Sequence, residues 1–371
     1  MNSRFHTPSR RMHPRRLFLF TLTFSVLVLS ACAGNGPQSA IEPAGKMAEN
    51  IDKTWDLVLM LATIVFFLVE GALVVTIWKF RHKKGADDVR PKQIHGNTAV
   101  EIAWTIIPAL ILAILAVPNV KGILEIRTVP VGDDVLQVQV IGHQWWWEFR
   151  YPDLVDDQGN VLVTANELYI PEQTRVNLSM TSADVIHSFW VPKLNGKRDL
   201  VPGKTSNLTL IADAAQEEPF FGQCAEFCGL SHADMRIKVY VKSVADFDAW
   251  TAAQLLPAQI PTDPIAKAGY DTFVSTCAAC HAATVQTPNG VEIIGKPYAP
   301  NLTHFGSRNT FGGATFENTT ELLTQWIHDP SSLKPMNPDA NIIPERILGM
   351  PSFGLTDAAV AELVALLEGW K

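Results

Sequence analysis

Long apolar segments near the N-terminus give way to short, alternating ones along the rest of the chain. Two long, mainly apolar segments, at about 55–78 and 99–120, each approach the roughly 20 residues that span the hydrocarbon core of a bilayer. The segment between them, residues 79–92, is rich in Lys and Arg, which favours a cytoplasmic position. We therefore predict a transmembrane hairpin of two helices, with everything after Val120 outside the cytoplasm.

A third apolar segment lies at the start of the chain, where Leu17–Leu29 follows a cluster of arginines and ends in Leu29-Ser30-Ala31-Cys32. This order predicts a secretory signal at residues 1–31. The tetrapeptide resembles a bacterial lipobox, which implies that Cys32 becomes the lipidated first residue of the mature chain. An uncleaved signal anchor, or an ordinary signal beside an incidental cysteine, are the alternatives. Residues 32–125 then form an N-terminal segment and the hairpin.

The pattern changes after Val131, where short runs of β-forming residues alternate with Pro, Gly, Asn and Asp. The runs are Val135–Ile141, Gly159–Val163, Arg175–Met180, Ser206–Ile211 and Met235–Val241. Such spacing predicts a β-sandwich over residues 130–250. The proline-rich stretch 251–264 predicts a linker. A third unit, 265–371, is expected to close with a helix over Asp357–Glu368, for which Thr356 is the predicted N-cap.

Charge and cysteine content narrow the function. The 371 residues carry a net charge of -7, and without residues 1–31, which hold five Arg and no acid, the balance is 25 − 37 = -12. An acidic chain of this kind argues against nucleic acid as a partner. The five cysteines are too few for a disulfide scaffold, but four of them form two close pairs.

The first pair of cysteines belongs to a pattern that places Cys, His and Met at fixed spacings. The segment reads Cys224-x3-Cys228-x3-His232-x2-Met235, and His187 lies upstream. Two thiolates, two imidazoles and a thioether form a soft ligand set, suited to copper in a β-sandwich. The alternatives are a Cys224–Cys228 disulfide, a zinc site, or buried structural residues. A disulfide would leave the histidine and the methionine unexplained, and zinc would not need the methionine.

With this pattern, the chain resembles subunit II of the haem–copper cytochrome c oxidases. The resemblance rests on four further segments, residues 100–108, 142–147, 187–192 and 199–203. It implies a cupredoxin-like domain with a binuclear CuA centre. In that centre Cys224 and Cys228 bridge two coppers, His187 and His232 each bind one, Met235 is a weak axial ligand, and Glu226 contributes its carbonyl oxygen.

The same resemblance implies three further roles. The Glu226 side chain would bind a magnesium ion at the interface with subunit I, since carboxylate oxygen is a hard donor that suits this ion. Trp145 would be the residue of electron entry over CuA, with ordinary aromatic packing as the alternative. Glu101 matches a carboxylate near the cytoplasmic entrance of a proton channel, although a surface residue at a helix end would look the same.

The second pair belongs to Cys277-x-x-Cys280-His281, the attachment motif of c-type haem, in which the histidine is the proximal ligand. A redox dithiol is the alternative. Cytochromes c usually supply a distal methionine. We choose Met350 because Met350-Pro351 shortly precedes the closing helix, with Met336 as the alternative.

This third unit resembles the cytochrome domain fused to subunit II in caa-type oxidases, and the resemblance implies an all-α class I cytochrome c domain. In that family the Lys-Pro and Met-Pro sequences lie close together, whereas here residues 337–349 separate them. This departure is what leaves Met336 open as the distal ligand.

The resulting prediction is a multidomain membrane protein of the bacterial cytoplasmic (inner) membrane, with its C-terminal domains on the periplasmic side. It would relay electrons from cytochrome c, or from a quinol–cytochrome c reductase, through haem c and CuA to haem a of subunit I. That subunit also holds CuB and reduces oxygen to water coupled to proton pumping, and subunit III would be a further partner. A CuA subunit of an enzyme like nitric oxide reductase, and a tethered electron carrier without a catalytic partner, are the alternatives.

Overall fold

Two long helices form the N-terminal part of the fold. The computed structural model of the chain describes residues 36–81, 93, 95–132, 134–336 and 349–371. Helix α1 spans Lys46–Phe80 and helix α2 spans Thr98–Arg127. Both are long and apolar enough to cross a membrane, and most of their apolar side chains are exposed. The predicted Cys32 and most of the basic segment lie outside the described residues.

Helix α1 begins nine residues earlier than its apolar segment, because its first turns pack on the next domain. Met47 and Ala48 are buried there. Just before the helix, Ala44 N donates to Lys193 O at 2.8 Å, and Lys46 N donates to Ile211 O at 3.2 Å. The start of α1 is therefore attached to the domain that follows the hairpin.

Ten strands form that domain, arranged as two five-stranded sheets around one core. They are β1 (Val135–His143), β2 (Trp146–Val155), β3 (Val161–Ala165), β4 (Glu167–Pro171), β5 (Arg175–Ser182), β6 (His187–Trp190), β7 (Arg198–Leu200), β8 (Ser206–Leu210), β9 (Phe220–Cys224) and β10 (Arg236–Lys242). One sheet has the order β3-β2-β1-β5-β8 and the other β4-β10-β9-β6-β7. The predicted β-sandwich is therefore present, and inward-facing residues such as Val140, Leu178 and Val239 fill the space between its sheets.

The C-terminal unit is helical with two small sheets. After α3 (Val244–Gln254) come α4 (Pro264–Ser275), α5 (Thr320–His328), α6 (Pro330–Leu333) and α7 (Asp357–Gly369). Strands β11 (Ala258–Gln259), β12 (Ala283–Thr287) and β13 (Gly290–Ile294) form one sheet, and β14 (Thr310–Phe311) pairs with β15 (Phe316–Glu317). The closing helix is confirmed, since Thr356 caps α7 by accepting from Ala359 N.

The prediction of an all-α unit is wrong in one respect, because strands β12 and β13 form a hairpin. β-Branched residues flank a turn that contains Pro288 and Asn289, and such residues favour strands. The segment expected to be a linker, 251–264, also contains regular structure, since it holds the end of α3 and the strand β11. Helices α4 and α7 pack closely together, and Phe273 of α4 and five residues of α7 belong to the second core.

Candidate metal centre and cofactor cavity

The first candidate site lies where neighbouring strands of the second sheet end. His187 is the first residue of β6, Cys224 is the last residue of β9, and Met235 directly precedes β10. The pairing of Phe189 with Cys224 and of Gln223 with Arg236 sets these strand ends side by side. Strand register therefore brings together residues that lie far apart in the sequence.

Five side chains meet there through sulfur and nitrogen atoms. The Sγ atoms of Cys224 and Cys228 are 3.8 Å apart, and Met235 Sδ is 3.8 Å from Cys228 Sγ. His187 Nδ1 lies 3.8 Å from Cys224 Sγ, and His232 Nδ1 lies 3.5 Å from Cys228 Sγ. Each thiol thus has one imidazole beside it. Both cysteines are free thiols, and their separation is far beyond the roughly 2.05 Å of a disulfide bond.

The electrostatics of the thiol pair favour a cation between the two sulfurs. A hydrogen bond from Cys228 lowers the pKa of Cys224 to about 4, with His187 contributing in the same direction. The same pairing and burial raise the pKa of Cys228 far above its usual range. One proton therefore leaves readily and the second does not, because two thiolates at this distance repel each other. Positive metal ions that stabilise both thiolates fit the buried, soft donors of this site.

Backbone and side-chain contacts hold these donors in place. Asp184 Oδ1 lies 2.7 Å from His187 Nε2, which leaves Nδ1 directed toward the sulfurs. Gln144 Nε2 and Trp145 Nε1 both donate to the carbonyl oxygen of Cys228, at 2.7 Å and 3.0 Å. A glycine is needed at position 142, since a Cβ there would lie 2.7 Å from the imidazole of His187. Supporting residues of this kind fix the orientation of metal ligands.

Glu226 contributes to the same loop through its backbone only. Its carbonyl oxygen lies 3.2 Å from Cys224 Sγ, whereas the residue is exposed. The neighbouring Phe227 is 77% exposed. This end of the sandwich therefore presents a carboxylate and an aromatic ring to its surroundings.

The second candidate site is a cavity of about 610 Å³ between the sandwich and the C-terminal unit. Cys277, Cys280 and His281 line it together, as the haem-attachment motif requires. His281 Nδ1 lies 2.7 Å from the carbonyl oxygen of Pro300, which leaves Nε2 as the free ring nitrogen. Burial lowers the pKa of His281, so the ring is held neutral and suited to binding a metal.

Both candidate distal ligands lie at this cavity. Met336 and Met350 line it, and they are close to each other, since a Cβ on Gly349 would lie 2.6 Å from Met336 Sδ. Met336 also packs against the core of the sandwich, whereas Met350 does not belong to that cluster. The residues between Met336 and Gly349 lie outside the described part of the chain.

The sandwich forms the opposite wall of the cavity. Trp145 and Trp146 line it, together with His143. The ring of Trp146 stacks on that of His143, with centroids 4.2 Å apart and 8° between the ring planes. Trp145 thus lies at the cavity and also donates to the backbone of Cys228, so it connects the two candidate sites.

The remaining predicted residue, Glu101, lies elsewhere. It is exposed in the first turn of α2, where its Oε1 accepts from Asn97 N at 3.3 Å. Asn97 caps the same helix by accepting from Ala99 N and Val100 N. Glu101 therefore has a local role at a helix terminus, and it is separate from the other candidate residues.

Sequence reasoning missed the residue that joins the two sites. Lys334 is 3% exposed, and its Nζ donates to the carbonyl oxygens of Trp145, Asp234 and Gly312 at 2.8, 2.9 and 2.9 Å. Burial lowers the pKa of Lys334 to about 7, against the opposing influence of Asp234 and Cys228. The sequence shows the Lys334-Pro335 pair, but the carbonyl oxygens that accept from Lys334 Nζ lie too far away in the chain to be found from residue spacing.

A paired-thiol site with imidazole and thioether neighbours at one end of a β-sandwich, attached to two apolar helices, is typical of membrane-bound electron-transfer proteins of the copper type. Residues 37–121 match the cytochrome c oxidase subunit II transmembrane domain, and residues 136–244 match the periplasmic domain of the same subunit. The chain belongs to the cytochrome c oxidase subunit II family. Its periplasmic domain is that in which the CuA site occurs, and subunit II partners with subunit I in a haem–copper oxidoreductase complex.

Individual relatives agree with this assignment. The chain is 38% identical to cytochrome c oxidase subunit 2 of Alkalihalophilus pseudofirmus over 85% of this chain and 89% of the relative. It is 34% identical to the Bacillus subtilis subunit over 97% of this chain and 98% of the relative. Among solved structures, the periplasmic domain of subunit II of Bradyrhizobium japonicum is 29% identical, covers 34% of this chain and 96% of that chain, and has a TM-score of 0.31.

Proposed function

We propose that this subunit receives electrons at a covalently attached haem c, passes them to CuA, and delivers them to haem a in subunit I. There oxygen is reduced to water and protons are pumped. The observation that carries the proposal is the position of Trp145, which lines the cavity of the Cys277-x-x-Cys280-His281 motif and donates to Cys228 O at 3.0 Å. One aromatic side chain thus lies between the two sites.

The residues of the first site fit a binuclear copper centre. Cys224 and Cys228 would bridge the metals, His187 and His232 would each bind one, and Met235 and Glu226 O would be weaker donors. Their sulfur and nitrogen atoms already lie within 4 Å of a neighbour, and the strand ends hold them in place. Ligands fixed in this way move little when the charge of the site changes, which favours fast electron transfer.

The residues of the second site fit a c-type haem. Cys277 and Cys280 would form the thioether bonds, His281 would be the proximal ligand and Met350 the distal one, with Met336 as the alternative. The haem and the copper pair supply one-electron redox chemistry when bound. The protein's part is to enclose the haem, orient His281 through Pro300 O, and place Trp145 at the cavity wall.

The proposal also extends to the boundaries and partners. The domains are a lipoprotein signal at 1–31 with Cys32 as the acylated residue, a hairpin at 32–125, a CuA domain at 130–250, a linker at 251–264 and a cytochrome c domain at 265–371. Glu226 would bind magnesium at the interface with subunit I, and Glu101 would lie at a proton-channel entrance. Subunit III, and cytochrome c or a quinol–cytochrome c reductase as donor, complete the scheme at the inner membrane.

Optical spectroscopy and metal analysis of the detergent-solubilised complex test the proposal. We expect one covalent haem and two coppers per chain, with a near-infrared band of CuA. Replacing Cys224 with Ser should abolish that band while the covalent haem is retained. Replacing both Cys277 and Cys280 with Ala should remove the covalent haem and leave the band. A near-infrared band that is unaffected in Cys224→Ser would contradict the ligand assignment. A native complex without a second subunit that carries a-type haem would overturn the function.

A further inference from the structure

Lys334 lies at the boundary between the sandwich and the C-terminal unit. It directly follows α6, and its ammonium group is buried among three backbone carbonyl oxygens. The oxygens of Trp145 and Asp234 belong to the sandwich, and that of Gly312 belongs to the C-terminal unit. An ammonium group has three donors and no acceptor, so these three carbonyls match it one for one.

The acceptors belong to functional segments of the sandwich. Trp145 lines the cavity, and Asp234 lies between His232 and Met235, which are both candidate copper ligands. Lys334 thus holds the backbone on both sides of the path from the cavity to the thiol site. A buried cation is costly unless it is fully hydrogen-bonded, so this arrangement is stable only while the two units remain together.

Further hydrogen bonds continue the same boundary. Arg236 N donates to Gly313 O at 2.8 Å, and Thr315 Oγ1 donates to Asp234 O at 3.0 Å. Ser231 Oγ donates to the carbonyl oxygen of Pro335. At a second point, the buried carboxylate of Glu167 accepts from Asn309 N at 3.0 Å and from Thr310 Oγ1 at 2.7 Å. Directed hydrogen bonds therefore join the two units at several points of the boundary.

A close approach at Gly313 supports the same conclusion. Its φ is +84°, a conformation that favours glycine, and a Cβ there would overlap the carbonyl oxygen of Asp234 and come within 2.5 Å of Lys334 Nζ. A side chain at position 313 would push the two units apart, and glycine avoids this.

We propose that Lys334 is a positioning residue that keeps the cytochrome unit docked on the copper unit in the arrangement used for electron transfer. The inference rests on the proposed function. Electrons would then pass from haem c to CuA within one fixed assembly, and no encounter between two tethered units would precede each transfer.

The test follows single electrons through the purified complex after photochemical injection at haem c. In Lys334→Met the methylene stem is retained, but three buried carbonyl oxygens lose a donor. We expect the step from haem c to CuA to slow by about tenfold or more, because small displacements of a redox path have large kinetic effects. The step from CuA to haem a should keep its wild-type rate, since none of the three acceptors of Lys334 belongs to a proposed copper ligand.

Two variants control for charge and for hydrogen bonding. Lys267→Met removes a half-buried lysine of α4 that pairs with Asp271 on the same helix and does not line the cavity, so it should leave both steps unchanged. Lys334→Gln retains two N–H donors and should give an intermediate rate. Wild-type rates in Lys334→Met, with its haem and its CuA band intact, would overturn the inference while the proposed function stands. A wild-type chain without covalent haem would instead overturn the proposed function.

If Lys334→Met loses haem c or CuA, a measurement on the wild-type complex tests whether the two units are docked. A docked unit transfers electrons without diffusing, so the rate from haem c to CuA should not change when glycerol raises the solvent viscosity several-fold. A rate that falls in proportion to viscosity would mean that the units must find each other for every transfer, and it would overturn the inference.

Discussion

The indole Nε1 of Trp145 donates a hydrogen bond of 3.0 Å to the carbonyl oxygen of Cys228, one of the two thiol residues of the candidate copper site. The carbonyl oxygen of the same tryptophan accepts from Lys334 Nζ at 2.8 Å. Trp145 is therefore fixed at its side chain by the copper loop and at its backbone by the C-terminal unit. Its ring can neither leave the cavity wall nor lose contact with Cys228 without breaking one of these bonds.

Trp145→Phe is expected to slow electron transfer from haem c to CuA by about tenfold or more, since the N–H link to Cys228 is lost and the smaller ring no longer reaches that carbonyl oxygen. The near-infrared band of CuA should be unchanged, because Trp145 donates to a carbonyl oxygen and not to a sulfur. Flash-induced kinetics at both centres measure the effect. Trp250→Phe is the matched control, since Trp250 stacks on Tyr169, with ring centroids 4.4 Å apart, and does not line the cavity. Equal rates in both variants would rule out Trp145 as the entry residue.

Met350→Ala is expected to convert haem c from a low-spin to a high-spin or misligated form, because the thioether sulfur is the proposed distal ligand. Met336→Ala should remain low-spin, since Met336 packs against the core of the sandwich. Optical and electron paramagnetic resonance spectra of the ferric protein report the spin state. The opposite pattern would assign the distal position to Met336, and two low-spin spectra would exclude both methionines.

Gly269→Ala is expected to destabilise the C-terminal unit by roughly 1–3 kcal/mol or more. A Cβ at this position of α4 would overlap the backbone carbonyl oxygen of Glu362 in α7, and backbone cannot move aside as a side chain can. Thermal unfolding followed at the haem c absorption band measures the loss. Gly369→Ala is the control, since no atom lies within 4 Å of the added Cβ at the end of α7. Equal unfolding temperatures for the two variants would contradict the close helix packing.

The buried carboxylate of Glu148 predicts a pH-dependent contribution to stability. Burial alone would raise its pKa, but hydrogen bonds with His143 and Arg150 outweigh that effect and hold the pKa below its ordinary value of 4.5. The folded state therefore binds fewer protons than the unfolded state just below that value. Glu148 should stabilise the fold above pH 4.5, and this contribution should be lost as the pH falls through the folded-state pKa.

Chemical unfolding of wild type and Glu148→Gln at a series of pH values checks this sign. The advantage of the wild type should be largest near neutral pH and should shrink as the solution becomes acidic. Glu218→Gln, at an exposed position, is the control and should show no such trend. A difference that grows on acidification would contradict the assignment.

Alternation of apolar and polar residues predicts the strands that have one buried face. The structure explains why the sequence did not predict the other strands. In β1, which covers the predicted run Val135–Ile141, Val138 and Val140 are buried and the intervening Gln139 is exposed. Strand β4 is buried at every position, including the charged Glu167, so its sequence shows no alternation. Strand β2 contains an irregular register between Tyr151 and Val155, which interrupts its pattern.

Spacing in the sequence identified side chains that lie together in one loop, and it gave no sign of residues whose contacts depend on distant partners. The loop from Cys224 to Met235, between strands β9 and β10, supplies four side chains of one candidate site. Lys334, in contrast, is 189 residues from Trp145, and a lone lysine in a sequence gives no sign of burial. Asp184 was missed for a related reason, since its contact with His187 depends on the turn before β6.

The shared cavity has a consequence for how the protein unfolds. Because its walls come from both the sandwich and the C-terminal unit, opening either unit exposes the same apolar surface and breaks the same hydrogen bonds of Lys334. The free energies of the two units are therefore coupled, and the described residues between 134 and 371 should behave as one cooperative block. Two domains by sequence thus become a single thermodynamic unit, in which destabilising one unit also opens the candidate site of the other.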